Sequence, residues 1–269
     1  MSTWHESDLL ANGIRLHYYR TTPDGAGMPP VVLCHGYSDN ALCWTALARA
    51  LTPAYDVIMA DARCHGRSEA PVKGNGPAAM AADLKGLIEA LGLTQPVAVG
   101  HSMGAMQVFL ASSLYPDLLR AAILEDPVWR DAPPAAPPRR QAERERQQRM
   151  THDELLAENR AQHPTWDEET LQLFATAKRQ LDGRVHTADI VTPRPWREVL
   201  AGVRCPTLVL TGDPAPGAIV TEAVAQAALA LFAGLERVHI PGVGHHVRYE
   251  APAPYTRAVQ NYLARIHGG

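Results

Sequence analysis

The sequence predicts an α/β protein with a mostly parallel, doubly wound sheet and helices on both of its faces. Short apolar runs bounded by Gly or Pro recur along the chain, with helix-like stretches between them. The runs are continuous rather than alternating, which is typical of strands covered by helices on both sides. The chain has 269 residues, of which 46% are apolar and 20% charged, so it can bury a large core.

The elements follow in order along the chain. Ile14 to Tyr19 alternates with period two and predicts a half-exposed antiparallel edge strand. Six continuous apolar runs predict further strands. They lie at residues 31–34, 57–60, 97–100, 121–125, 207–211 and 236–240. Between them, Met80 to Leu91 places its apolar side chains on one face of a helix, and Ala105 to Leu114 is also helix-like.

One long segment lacks strand patterns. From Trp129 to Trp196 the sequence predicts an all-helical insertion, which opens with a stiff proline-rich run at residues 132–138. We therefore divide the chain into a core, residues 1–128 and 197–269, and a helical cap, residues 129–196.

Within the cap, the charged run from Arg139 to Met150 predicts a solvated helix. The patterns Thr151-x-x-Glu154 and Thr165-x-x-Glu168 are capping boxes that predict two further helix starts.

Composition excludes several classes of function. The 25 basic residues are scattered and balanced by 28 acidic ones, giving a net charge of -3, so no nucleic-acid partner is expected. No run of eighteen apolar residues or basic-then-apolar leader is present, so we expect no membrane partner and a cytoplasmic location. The four cysteines lie far apart without a Cys-x-x-Cys pair, which predicts free thiols and no metal site. Nothing in the sequence implies a cofactor.

A nucleophile motif follows the strand at 97–100. Residues 100–104 read Gly-His-Ser-Met-Gly, a Gly-x-Ser-x-Gly pattern between a buried strand and a helix. So tight a turn exposes the Ser102 hydroxyl, and glycine at 100 and 104 lets the helix approach the strand closely. The context of the motif, more than the motif itself, predicts Ser102 as a nucleophile.

This motif makes the sequence resemble the α/β-hydrolase family. His35-Gly36-Tyr37, after the first apolar run, matches the family's oxyanion loop, which implies the backbone N–H groups of Tyr37 and Met103 as the oxyanion hole. The Gly-x-Gly-His loop near the C-terminus implies His245 as the catalytic base, with His246 beside it in the substrate pocket.

The acid departs from the family's commonest pattern. After the strand at 207–211 the family usually carries Gly-Asp-x-Asp with the second Asp catalytic, and here Ala215 stands at that position. Some members instead carry the acid after the sixth strand, where this chain has Asp126. We place Asp126 first, with Asp213 and Glu125 as the alternatives, because Asp126 stands at the C-terminal end of its strand, beside the expected pocket. The chain order of nucleophile, acid and base is also preserved.

The resemblance also implies a substrate class. Use of an acid after the sixth strand is similar to the lactonases that open macrolactones such as zearalenone, so we expect a small-molecule ester or lactone, with hydrophobic ones favoured. Aromatic and apolar side chains of the cap and the oxyanion region predict an apolar roof. These are Trp44, Trp129, Trp166, Leu171, Phe174 and Trp196. Gly36, Trp129, Trp196 and His246 are the predicted pocket residues.

Two other functions remain open. One is hydrolysis of a C–N or C–C bond by the same three residues, with Arg130, Arg194 or Arg197 recognising a substrate carboxylate. The other is a ligand-binding receptor without turnover, which an intact Ser102 and His245 disfavour. Serine at 102 also argues against epoxide hydrolase and haloalkane dehalogenase chemistry, because those reactions need a carboxylate nucleophile.

Overall fold

The computed structural model describes residues 4–25, 27–130, 137–187 and 194–268. Its centre is an eight-stranded sheet with the order β1-β2-β4-β3-β5-β6-β7-β8. The strands are β1 (His5–Ala11), β2 (Ile14–Arg20), β3 (Pro30–Cys34), β4 (Asp56–Ala60), β5 (Val97–His101), β6 (Ala121–Glu125), β7 (Thr207–Thr211) and β8 (Leu235–His239). β1 and β2 are antiparallel to their neighbours, and all other pairs are parallel. The predicted α/β class with a mostly parallel sheet is therefore confirmed.

The sequence analysis missed strand β1. Its residues are largely exposed and polar, so no apolar run marks them. β1 forms because it pairs with β2 along its whole length through a two-residue turn, Asn12-Gly13, in which both residues have positive φ. Asn-Gly is the preferred sequence for such a turn and was the available signal.

Helices cover both faces of the sheet. They are α1 (Thr45–Leu51), α2 (Pro77–Ala90), α3 (Met103–Leu114), α4 (Pro137–Arg149), α5 (His152–Gln162), α6 (Glu168–Arg179), α7 (Trp196–Gly202), α8 (Glu222–Leu231), α9 (Val247–Glu250) and α10 (Pro252–Gly268). Side chains alternate along the strands, so that Val32 and Ala98 enter one apolar core while Leu33 and Val99 enter another. Each core seals one face of the sheet.

Among the described residues between β6 and β7, the regular elements are all helices: α4, α5, α6, a 3₁₀ helix at Gly183–Thr187, and α7. Thr151 and Glu154 form the predicted capping box at the start of α5. The second predicted box is wrong, because α6 starts at Glu168 with Asp167 as its cap. A backbone hydrogen bond from Trp166 to His163 draws the intervening residues into a turn ahead of the helix.

The structure also bears on the cysteines and on membrane-spanning helices. All four cysteines are buried free thiols, and burial raises the pKa of the Cys34 and Cys43 thiols to about 12. These two thiols are therefore protonated packing groups. Within the described ranges, no helix has the length and apolar character needed to cross a membrane.

Candidate active site

The turn between β5 and α3 carries Ser102 in a strained conformation. Its φ is 51° and its ψ is -110°, a backbone conformation that residues other than glycine seldom adopt. A Cβ at Gly100 would collide with the backbone of Gly104, and a Cβ at Gly104 with the carbonyl oxygen of Cys34. The two glycines thus allow the close strand-to-helix approach that points Ser102 into a cleft.

Ser102, His245 and Asp126 are joined by two hydrogen bonds. The Ser102 Oγ lies 2.9 Å from the Nε2 of His245, and the Nδ1 of His245 lies 2.5 Å from the Oδ2 of Asp126. Asp126 is fully buried, and its carboxylate also accepts the backbone N–H groups of Ile219 and Val220. A carboxylate fixed in this way favours the tautomer with the proton on Nδ1, which leaves Nε2 as an acceptor for the serine hydroxyl.

Asp213, the first alternative acid, is occupied elsewhere. Its Oδ2 accepts the backbone N–H of Gly242 at 2.7 Å, and its Oδ1 lies 3.1 Å from the Nε2 of His239. These contacts hold the turn after β8. The structure therefore brings Asp126, and not Asp213, to the His245 ring.

Glu125, the second alternative, belongs to a buried ion network that sequence reasoning missed. Its carboxylate accepts the backbone N–H of Arg248 and lies 3.2 Å from the Arg248 guanidinium. The same guanidinium bonds Asp39 at 2.7 Å and lies over the rings of Trp44 and Tyr249. Because Arg248 closely follows His245 in the chain, this network anchors the loop that carries the histidine to the end of β6.

Two further histidines lie against His245. The Nε2–H of His101 donates to the carbonyl oxygen of His245 at 3.0 Å. Burial, reinforced by the charge of Arg248, lowers the pKa of His101. His246 lines the cleft, and burial with the nearby His101 and His245 holds its pKa well below the usual range. Its ring is surrounded by those of Trp166, Phe174, Tyr249 and His163.

The two expected oxyanion donors are the backbone N–H groups of Met103 and Tyr37. Met103 is the first residue of α3, so its N–H belongs to the first turn, where helix N–H groups have no partner within the helix and the dipole favours negative charge. Tyr37 lies in the wall of the cleft. Gly36 does not, which corrects the expectation for this residue. It is buried behind the wall, where an added Cβ would collide with the His101 ring.

The cleft above Ser102 has a volume of about 450 Å³ and a wall that is mainly polar. Its charged and amide side chains are Arg130, Glu143, Gln147, Gln162 and Lys178. Its apolar and aromatic side chains are Tyr37, Val128, Phe174 and Ile219. In the described part of the chain, no group of three or more His, Cys, Asp or Glu side chains is arranged to hold a metal ion.

The apolar roof expected from the sequence is largely absent from this wall. Trp129 and Trp196, predicted as pocket residues, instead stack on each other with ring centroids 5.4 Å apart and are buried in the main core. Trp44 is buried against Arg248, and Trp166 packs in the small core between α5 and α6. Of the predicted aromatics, Phe174 alone reaches the cleft, as judged from the described residues.

Helix α4 also differs from its prediction. Its sequence is so highly charged that a solvated helix was expected, but Glu143 and Gln147 line the cleft, and Gln147 is buried. Most of its other described side chains are exposed. Periodicity could not reveal this, because a polar residue facing a polar cleft resembles one facing water.

Comparison with known proteins agrees with this architecture. The family pattern of the α/β-hydrolase fold matches residues 29–252. The chain belongs to the α/β-hydrolase family. This α/β hydrolase is 39% identical over 119 residues to an epoxide hydrolase of Caballeronia sordidicola, covering 43% of this chain and 35% of the relative. It is 34% identical over 123 residues to an N-formylmaleamate deformylase of Pseudomonas putida, covering 45% of each.

Among solved structures, the α/β hydrolase is similar to a thermophilic esterase from Thermogutta terrifontis, with a TM-score of 0.77 and 27% identity. That match covers 98% of this chain and 99% of the esterase. By contrast, the chain spans less than half the length of the two curated relatives named above. Together these similarities establish the fold and family of the chain, and the relatives named here are an epoxide hydrolase, a deformylase and an esterase.

Proposed function

We propose that this hydrolase is a serine hydrolase that cleaves carboxylic esters through an acyl-enzyme. The observation that carries the proposal is the chain of hydrogen bonds from Ser102 through His245 to Asp126. In the first step, the Ser102 Oγ attacks the ester carbonyl while the Nε2 of His245 accepts the hydroxyl proton. The buried carboxylate of Asp126 stabilises the imidazolium that forms.

The negative charge on the carbonyl oxygen develops beside the start of α3. The N–H groups of Met103 and Tyr37 are the proposed donors to that oxyanion, and loss of one such donor typically costs about 3 kcal/mol in the barrier. His245 then returns its proton to the leaving alcohol as the C–O bond breaks. Water, deprotonated by the same Nε2, attacks the acyl-enzyme and releases the acid and free Ser102.

The similarity to epoxide hydrolases does not alter this proposal. A carboxylate that opens an epoxide forms an alkyl ester, which water can hydrolyse. Serine at 102 would instead form an alkyl ether, and an oxyanion hole with a histidine base offers no route for its hydrolysis. The nucleophile therefore favours acyl transfer over epoxide opening.

Hydrolysis of a C–N bond is the second candidate. The same three residues can attack an amide carbonyl, with His245 protonating the leaving nitrogen. The similarity to the N-formylmaleamate deformylase favours this candidate. The predominantly polar wall, by comparison, gives little support to a large hydrophobic macrolactone as the substrate.

Labelling with a fluorophosphonate probe tests the acyl-enzyme proposal. The wild-type protein should be labelled, and Ser102→Ala should abolish both labelling and ester turnover. Matched esters and amides of the same acyl group then distinguish the two candidates by their kcat/KM values. Absence of labelling in a folded wild-type protein would refute the proposed nucleophile and support a binding function.

A further inference from the structure

Lys178 is an unusual component of the cleft wall. It is on helix α6 and lines the same cleft as Ser102 and His245, yet only 7% of its surface is exposed. Its Nζ lies 4.0 Å from the centre of the Phe174 ring, which also lines the cleft. An ammonium group in a buried position is screened less by water than one at the surface, so it attracts an anion in the cleft more strongly.

The electrostatic surroundings of Lys178 match an incoming anion. Glu143 is the acidic side chain among the described residues of the wall, and its carboxylate accepts hydrogen bonds from Arg146 and Gln147. Arg146 bonds both Glu143 and Glu158, so it offsets part of the charge of Glu143. The charge of Lys178 also acts on His163, another residue of the wall, since it adds to the effect of burial in lowering the pKa of His163.

The wall contains a second cation, Arg130, which is exposed. The cleft therefore combines a buried ammonium with an exposed guanidinium. Long-range attraction by such a pair raises the local concentration of anions. Neutral amides of Gln147 and Gln162 also line the cleft. Each donates one hydrogen bond to a glutamate, Glu143 or Glu158, but an NH₂ group carries two N–H bonds and can also donate to the oxygens of a bound anion.

We infer that the cleft takes an ester whose acyl group ends in a carboxylate, with that carboxylate bound by Lys178 while the ester carbonyl meets Ser102. The inference rests on the proposed ester hydrolase function and adds its substrate class. A carboxylate monoanion fits one ammonium and neutral amide donors better than a phosphate dianion, which usually needs several cationic or backbone donors. The substrate is thus the half-ester of a dicarboxylic acid.

Three ethyl esters of similar length provide the test. Ethyl hexanoate is neutral, monoethyl adipate carries a terminal carboxylate, and ethyl ε-aminocaproate carries a terminal ammonium. Wild-type kcat/KM should be about tenfold to a hundredfold higher for the half-ester than for ethyl hexanoate, the range expected for a charge-assisted hydrogen bond. The cationic ester should be the poorest substrate, because its ammonium meets Lys178 and Arg130.

Lys178→Met should reduce the ratio of kcat/KM for the half-ester to kcat/KM for the neutral ester to near one, mainly by raising KM for the half-ester. Lys85→Met is the matched control. It removes an exposed lysine that pairs with Glu89 on helix α2, and the ratio should stay at its wild-type value. In Lys178→Met the pKa of His163 should also rise, as measured by NMR titration, because the cation that helps to lower it is gone.

Salt dependence in the wild-type protein tests the inference even if Lys178→Met does not fold. Raising the ionic strength from about 20 to 200 mM should lower kcat/KM for the half-ester while leaving that for ethyl hexanoate nearly constant. Labelling of Ser102 with turnover of both esters, but no preference between them, would overturn the substrate class and leave the ester hydrolase proposal standing. Lack of both labelling and turnover would overturn the proposed function itself.

Discussion

Replacing Asp126 by Asn should lower kcat by about three to four orders of magnitude while preserving the fold. In the native site the carboxylate Oδ1 accepts the N–H groups of Ile219 and Val220, and Oδ2 accepts that of Ile219 and the His245 Nδ1–H. Asparagine has one oxygen, which the two backbone donors orient toward themselves. Its amide NH₂ then faces His245 Nδ1, so the ring proton moves to Nε2, where it opposes the Ser102 hydroxyl.

The size of the expected loss follows from this change of tautomer. A histidine with its proton on Nε2 cannot accept the serine proton, and loss of the acid in comparable sites lowers kcat by about ten thousandfold. A loss of three to four orders corresponds to roughly 4 to 5.5 kcal/mol in the barrier. The structure gives no reason for a large loss of stability, because the two backbone N–H groups keep an acceptor.

Steady-state hydrolysis of a short-chain ester, together with the rate of fluorophosphonate labelling, measures the effect. Asp213→Asn is the matched control and should cost less than about tenfold, since Asp213 bonds Gly242 and His239 and not His245. Circular dichroism and urea unfolding verify that both variants are folded. Near-normal kcat in Asp126→Asn, or a thousandfold loss in Asp213→Asn, would refute the assignment of the acid.

Two more predictions concern stability. Glu125→Gln should lower the free energy of unfolding by about 2 to 4 kcal/mol, because it weakens a buried pair with Arg248 that Asp39 only partly replaces. Urea unfolding measures this, and an unchanged midpoint would contradict it. The lowered pKa of His246 means that the unfolded chain binds more protons than the folded one below about pH 6.5. Stability should therefore fall as the pH decreases through that value, and His246→Phe should flatten the slope by up to about 1.4 kcal/mol per pH unit; an identical slope would exclude this residue as the source.

Features encoded by neighbouring residues were the most predictable from the sequence. Six continuous apolar runs locate six of the eight strands, because strands buried on both faces require continuous apolar residues. The alternating pattern of Ile14 to Tyr19 locates a seventh, β2. The serine turn could be located because its geometry demands glycine at 100 and 104. The placement of Asp126 beside His245 depended on the order of strands, and the family resemblance supplied it.

Features that depend on tertiary contacts were not predictable. Trp129 and Trp196 were expected in the pocket because aromatic residues near a cleft often line it, but their partners in the core are far apart in the sequence. The faces that α4 and α6 turn to the cleft carry Gln147 and Lys178, which hydrophobic periodicity assigns to solvent. Similarly, Arg248 is an ordinary basic residue in the sequence, and its burial between Glu125 and Asp39 follows only from the assembled fold.

The stacked pair of Trp129 and Trp196 has an evolutionary consequence. Trp129 follows β6 and Trp196 begins α7, which precedes β7, and the stacking of their rings brings the two ends of the segment between them together. When the two ends of a segment lie close together, the segment can be lengthened, shortened or exchanged at a small entropic cost to the folding of the rest of the protein. Homologous recombination at this junction could therefore create new substrate preferences while the sheet and the serine turn are inherited unchanged.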